Sequence, residues 1–515
     1  MLNGLPSKLR FNMKLNLKSL MRGNRFLLKP FLTLLAIFAL GALSIILSGA
    51  HYADDVARTN YGYPGWSAFS RYLSTLSAFV LHADRYLTNI APLPQLIAIA
   101  LLALSGLVLI CLVSGKETFK KPWTDWIWKV IAVVPLGLCP YFLECLSYQY
   151  DAPYMALSIL AVLIPFVFRK KSNRLYLPAI AIGTLIACMT YQASVGIFGV
   201  VLIFLIIKDW NEQKSKSLKP LLKFTLLSGG TFLLTLVVFQ KFLMRPRDVY
   251  VSNEVPSLSS FFPEFFAHLR QYYALVFHDF KLLWLVLIGI ILVGFIVVFA
   301  LKSRQKKLLA GIIALLGVVL MAASVYAPYA ALSKPLYTTR AMYAIGSLIA
   351  IAGIYIVSEK GWQKFLTAPV VILAWCFFVF SFTYGNALNE QTKFHDMQVT
   401  MAISDVNELL PTLGDGEKII QVSGQIDYAP SIEHMSRENY ELLNRLLKST
   451  FGRSVPWMAY KLTQASGLTG LVFNPDIDFS EKDLPVLKET NFYTIQGDSE
   501  GVLVHFNGEL LDMSF

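Results

Sequence analysis

Charged residues are scarce in this chain. They make up 15% of its 515 residues, against about 25% in an ordinary soluble domain. Apolar residues fill the deficit and reach 55%. A string of conventional soluble domains is excluded, because the apolar residues come in blocks too long to be core helices. Cysteine is equally rare. Cys111, Cys139, Cys145, Cys188 and Cys376 all lie inside apolar runs, with no C-x-x-C and no histidine at ligand spacing. That argues against a disulfide scaffold, a zinc module and a thiol redox enzyme. There is no P-loop, no G-x-G-x-x-G after a strand and no H-E-x-x-H, which disfavours ATP hydrolysis, dinucleotide chemistry and zinc proteolysis. The net charge of +12 is unevenly placed: residues 387–515 hold nineteen acids and nine bases, net −10, so the first 386 carry +22. An all-over basic surface for nucleic acid is thereby ruled out, and a membrane protein with an acidic soluble tail remains.

A spanning helix needs about 20 mostly apolar residues, because the hydrocarbon layer is about 30 Å thick and a helix rises about 1.5 Å per residue. Runs that qualify, or nearly do, lie near 30–49, 92–113, 127–147, 153–168, 175–190, 194–207, 222–243, 282–301, 308–328, 341–357 and 366–386. The expected fold is therefore a polytopic α-helical membrane protein of about eleven transmembrane helices, with 153–207 open to tilted or broken spans. Lys and Arg are dense in the N-terminus (1–29) and in every second loop, at 116–121, 169–174, 208–219, 302–307 and 360–364. That alternation puts those loops in the cytoplasm and the intervening loops, 50–91 and 244–280 among them, outside. The first apolar run is full length and lacks a small-x-small cleavage site, so a removable signal is not expected.

Past 387 hydrophobicity drops to soluble levels. KIIQVSG (418–424), FYTIQG (492–497) and VLVHF (502–506) have the pattern of strands, and MSRENYELLNRLLKST (435–450) that of an amphipathic helix. Residues 387–515 are thus expected to form a small external α/β domain. In loop 50–91, WSAFSRYLSTLSAFVLHADRYL carries apolar residues at helical spacing and predicts a helix lying in the membrane interface.

The residues with chemical potential lie in external loops. Asp54 and Asp55 follow the first span, where a carboxylate can take a hydroxyl proton as that oxygen attacks an electrophile; helix capping is the plainer reading. Arg58, Trp66 and Arg71 stand in the same loop, a density of sugar-stacking and anion-pairing side chains. Tyr150 and Asp151 sit in SYQYDAPY (147–154), where Asp151 could equally be an N-cap before Pro153. Tyr191 and Gln192 fall between two short spans, where polar groups face a cavity or pair across helices. Arg245, Arg247 and Arg340, with Lys334 nearby, run against the usual scarcity of external arginine. Each can meet a lipid-borne phosphate bidentately, and Arg58 is a further candidate for that role. The cytoplasmic loops are short and merely basic, with no room for a nucleotide-sugar site.

The blocks DDVARTNYGYPGW…SRYL, APLPQLIAIALLALSG, SYQYDAPYMALS and MTYQASVG resemble the Gtr-type (GtrII-like) bacterial O-antigen glucosyltransferases, through the whole membrane region. One departure is Ser70, where the family usually has glycine before the arginine of the amphipathic segment; Arg71 itself is in place. The resemblance implies a GT-C-like inverting enzyme of the bacterial inner membrane. It would move glucose from undecaprenyl-phosphate-glucose to lipopolysaccharide O-antigen on the periplasmic face, changing serotype. A small flippase and a cytoplasmic donor synthase would accompany it. By that pattern Asp54 or Asp55 is the base, arginines countercharge the leaving phosphate, and neither a metal nor another cofactor is required. Two other classes share the basic inner loops and external arginines. A polyprenyl-linked sugar flippase or transporter would more naturally carry internal repeats and mid-membrane charges. An O-antigen polymerase has less need of the acidic pair and the soluble tail.

Overall fold

The computed structural model describes residues 25–213, 217–245, 254–357, 361–433, 439–447, 467–474, 479 and 482–508. Most of the basic N-terminus, Arg247 and much of the helix predicted over 435–450 lie outside them. Among the described residues eight helices are long and apolar enough to cross a membrane: Arg25–Ser48, Leu93–Ser114, Asn173–Thr190, Gln192–Glu212, Lys219–Leu243, Leu282–Leu301, Lys307–Ala330 and Gly361–Leu413. A ninth is added if Trp123–Leu138 and Pro140–Ser147, bent by 60°, form one broken span. The bend has a local cause. Cys139 is extended (ψ 130°) and stands directly before Pro140, which lacks an N–H to continue the ladder. The two remaining apolar runs give shorter helices, Ala152–Phe168 and Ile345–Ile356. The count of about eleven spans is thus coarser than the structure: eight full-length helices, one bent pair and two short segments.

The helices meet where side chains are small. Leu28–Ser48 packs along Lys364–Leu409, and a Cβ on Gly385 would come within 2.3 Å of Ser44 Oγ. Ser44 donates to the Ser381 carbonyl at 3.1 Å and Ser381 donates to the Gly41 carbonyl at 2.5 Å. Close backbone approach with hydroxyl crosslinks is how helices associate where burial of apolar surface gives no drive.

The basic loops gather at one end of the bundle. Arg169 pairs with Asp209 at 2.7 Å, Lys208 donates to the Val113 carbonyl at 2.6 Å, and Lys120 lies over the Phe26 ring at 5.3 Å. The opposite end carries the loop after the first helix. Helix Asp55–Tyr61, a short 3-10 turn Trp66–Phe69 and helix Tyr72–Leu81 make it up. The last of these turns Ser74 and Ala78 to the protein and leaves Leu76 and Val80 exposed, the polarity of a helix bedded in lipid.

Beyond the bundle the Lys364–Leu409 helix runs on without a break, so the boundary expected at 387 falls inside one element. Strands β1 (Lys418–Gln425), β2 (Leu471–Val472), β3 (Val486–Glu489), β4 (Tyr493–Gly497) and β5 (Gly501–Asn507) form a sheet of order β2-β1-β5-β4-β3. β1 runs parallel to both neighbours, while β4 is antiparallel to β5 and β3. Three strands stand where the alternating patterns predict them. The sheet buries Ile420, Ile495, Val504 and Phe506 against Val399, Ala402 and Val406 of the long helix. A separate turn of the tail, helix Leu442–Leu446, is instead buried in the core of the membrane region.

Candidate active site

Two clusters form at the end of the bundle opposite the basic loops. The first is built on the chain just after the first helix. Gly49 ends that helix in the left-handed conformation (φ +60°), and helix Asp55–Tyr61 starts six residues later. Asp55 is fully buried and accepts backbone N–H groups from Tyr52 (3.3 Å), Gln149 (2.7 Å) and Tyr150 (3.4 Å). It therefore staples the first loop to the 149–150 turn. Burial pushes its carboxyl well above the usual range, with Arg58 and the Gln149 N–H acting in the opposite direction.

One turn on, the buried Arg58 guanidinium bonds the Asp151 carboxylate. It also lies 3.5 Å from Asp54 and 3.9 Å from Asp55, with the Trp66 ring 4.5 Å away. Trp66 donates its indole N–H to the other Asp151 oxygen. Asp151 does occupy the N-cap position of Ala152–Leu163, but its side chain makes no cap bond; both oxygens serve Arg58 and Trp66. Tyr150 adds a hydroxyl contact to Thr59 at 3.2 Å. Of the three acids around Arg58 only Asp54 reaches out: its side chain is 41% exposed, against 0% for Asp55 and 6% for Asp151.

The second cluster lines a cavity of about 360 Å³. Phe232, Leu233, Leu236, Phe239 and Phe265 line its walls, and Arg71, Gln192, Gln240, Ser324 and Lys334 are among its polar members. The Arg71 guanidinium stands 4.6 Å over the Tyr191 ring and 5.4 Å from Phe69. Its Nε and the Gln192 Nε2 are buried and make no hydrogen bond. Among the described residues Arg71 has no acidic partner. Unsatisfied buried donors lining a cavity ask for a ligand, since leaving them bare is costly. Ser70 holds φ +60°, the conformation glycine adopts without strain, and its hydroxyl accepts the Arg245 backbone N–H at 2.8 Å. The Arg245 side chain is exposed.

Arg340 lies between the clusters. Its backbone N–H donates to Glu144 at 2.6 Å, and Thr339 bonds the same carboxylate oxygen. The Arg340 guanidinium bonds the Tyr148 hydroxyl and sits 3.7 Å from Glu144. Tyr148, which Arg340 bonds, packs edge-on against Tyr52 of the first cluster's loop at 4.9 Å. Sequence reasoning passed over Glu144, although it is the sole acid in the apolar run 127–147 and an intramembrane charge is itself a signal. It also passed over Asp279 and Arg445. The Arg445 guanidinium, on the tail helix, bonds the buried Asp279 carboxylate and the Tyr337 carbonyl. Tyr141 donates to the same Asp279 oxygen at 2.7 Å.

Among the described residues no three His, Cys, Asp or Glu side chains are placed to hold a metal ion; the three aspartates converge on a guanidinium.

A sequence profile described as glucosyl transferase GtrII matches residues 43–357, a stretch that holds both clusters but not the tail. An "Uncharacterized 55.3 kDa protein in gtrB 5'region" of Salmonella phage P22 is 26% identical over 194 residues, covering 38% of this chain and 38% of that protein. The chain therefore spans about two fifths of the length of that curated relative. No solved structure matches the chain. With the profile covering more than half of its residues, the chain belongs to the glucosyl transferase GtrII family.

Proposed function

We propose that the protein is an inverting glucosyltransferase of the bacterial inner membrane, moving glucose from undecaprenyl-phosphate-glucose to lipopolysaccharide O-antigen on the periplasmic side. The observation that carries this reading is the cavity. Its lining is mostly aliphatic and aromatic, and it also holds two cations, Arg71 and Lys334, with Gln192. That pairing suits one ligand class, an isoprenoid chain ending in a phosphate. Arginine meets two phosphate oxygens at once, and lysine adds a point charge. Arg58 and Arg340 fit the phosphate role less well, because carboxylates already occupy their guanidinium groups.

In this reading Asp54 is the base. As the acceptor hydroxyl oxygen bonds the anomeric carbon, its proton passes to the Asp54 carboxylate. The bond from that carbon to the phosphate oxygen breaks, and the electron pair leaves with the polyprenyl phosphate. Arg71 and Lys334 stabilise the charge developing there, and attack opposite the leaving group inverts the sugar. Asp55, Asp151 and Trp66 hold Arg58, which in turn sets the position of Asp54. A cytoplasmic synthase and a small flippase would supply the donor to the outer leaflet.

The test is donor binding and transfer by purified protein in nanodiscs. Arg71→Ala and Lys334→Ala should each weaken donor binding by about 1.5–3 kcal/mol, the worth of a charge-assisted bond. Arg71→Lys keeps the charge and loses the fork, so turnover should still fall. Wild-type donor affinity and rate in all three variants would put the phosphate elsewhere. Donor movement across the bilayer without transfer would instead identify a flippase.

A further inference from the structure

The tail reaches the site through a single helical turn, Leu442–Leu446. Leu442, Leu443, Leu446 and Leu447 are all buried in the membrane region's core. Tyr440, just before them, packs on Phe380 at 5.1 Å with Lys281 3.9 Å over its ring. These contacts suffice to dock the tail. Two polar contacts do something more specific. The Tyr52 hydroxyl donates to the Leu446 carbonyl at 2.6 Å, two residues before Asp54. The Arg445 guanidinium holds the Tyr337 carbonyl, midway between Lys334 and Arg340. The adjacent Leu336 carbonyl accepts the Tyr272 hydroxyl at 2.8 Å, so successive carbonyls of this segment hang from the membrane region and from the tail.

We propose that this turn is a clamp that sets the spacing between the two halves of the site, with Arg445 as its positioning residue. The inference rests on the reading of Asp54 and Lys334 as working groups on opposite sides of the transfer. Apolar docking alone tolerates sliding, whereas a guanidinium fork shared by Asp279 and a carbonyl fixes direction and register. Asp279 is buried, with Arg445 as its permanently charged partner and His278 Nδ1 3.4 Å from its other oxygen, so the turn has one stable seat. Transfer then depends on the tail being seated, with Arg445 acting through the residues it positions.

Hydrogen exchange on the full chain in nanodiscs, alongside transfer kinetics, tests the clamp. Arg445→Lys keeps a charge beside Asp279 but cannot hold both acceptors. Exchange over 333–341 should rise and kcat should fall by about tenfold or more, since misplacement of about 1 Å can cost about a hundredfold. Tyr52→Phe should loosen 50–62 alone and lower kcat less. The paired substitution Arg445→Met with Asp279→Asn strands no buried charge, so it should keep the wild-type melting temperature while still freeing 333–341 and lowering kcat. KM for the donor should move less than kcat in each case. Unchanged exchange in the paired variant would overturn the clamp; loosened segments with wild-type kcat would overturn its role in transfer. A wrong donor reading has its own signature: Lys334→Ala retains donor affinity while the clamp variants still lower kcat.

Discussion

Asp54 and Asp55 are chemically identical neighbours in opposite surroundings. Asp55 takes three backbone N–H groups in a buried seat, whereas Asp54 touches only the edge of Arg58 and reaches solvent. The two asparagine variants should therefore fail differently. Asp54→Asn should melt like the wild type and lose turnover by about 10²–10⁴-fold. Asp55→Asn replaces an acceptor with a donor facing an N–H and should lower stability by about 1–3 kcal/mol, read as a depressed melting temperature with donor bound or absent. Two slow but stable proteins would contradict this division. At Ser70, strain and bonding oppose each other. Glycine would relieve a left-handed backbone at about 1–2 kcal/mol but lose the bond to Arg245, worth about 1 kcal/mol. Ser70→Gly should thus be close to neutral, and Ser70→Ala, which keeps the strain and loses the bond, the more destabilised of the pair in a thermal melt. The residues of this site were legible as a dense loop chemistry around 52–71 and 147–154. Which arginine lacks a carboxylate was not, because Glu144 and Asp151 reach Arg340 and Arg58 from distant parts of the chain.

At the scale of elements, run length located the helices and could not tell a span from a buried segment. Ala152–Leu163 and Ile345–Ile356 each bury eleven of twelve residues. An apolar helix sheathed by others has no lipid to match and can be short or begin in irregular backbone. Its sequence looks the same as that of a lipid-facing helix, since both are apolar all round. The bend in 127–147 was marked by Pro140, and the two strands that pattern reading missed are short, at two and four residues. The crossing of Leu28–Ser48 with Lys364–Leu409 rests on a seam of small residues. A Cβ on Gly385 would meet not only Ser44 Oγ but the backbone carbon of Ser44 at 2.5 Å, which cannot swing aside. Gly385→Leu should push the helices apart and break both serine bonds. A loss of about 1–3 kcal/mol is expected for overpacking, measured as a fall in melting temperature in detergent; Gly229→Leu, with open space around it, is the matched control and should be silent.

For the whole molecule, polarity is the organising property. The basic loops, separate in sequence, are tied together at one end: Arg304 donates its backbone N–H to the Asn211 carbonyl at 3.3 Å, beside the Arg169–Asp209 pair. Both clusters of the site and the tail occupy the other end. The 46-residue helix Lys364–Leu409 is about 69 Å long at about 1.5 Å per residue, more than twice the roughly 30 Å of hydrocarbon. It therefore carries the sheet well clear of the bilayer on the side away from the basic loops. Loops rich in Lys and Arg stay in the cytoplasm, so the site and the acidic tail are expected in the periplasm. Alkaline phosphatase, which needs an oxidising compartment to fold, should be active when fused after Phe515 and inactive when fused after Lys121 or Lys306. The reverse pattern would turn the molecule over and put the carboxylates, the cavity and the clamp in the cytoplasm. A cytoplasmic site would face nucleotide sugars, and the lipid-linked donor would lose its rationale.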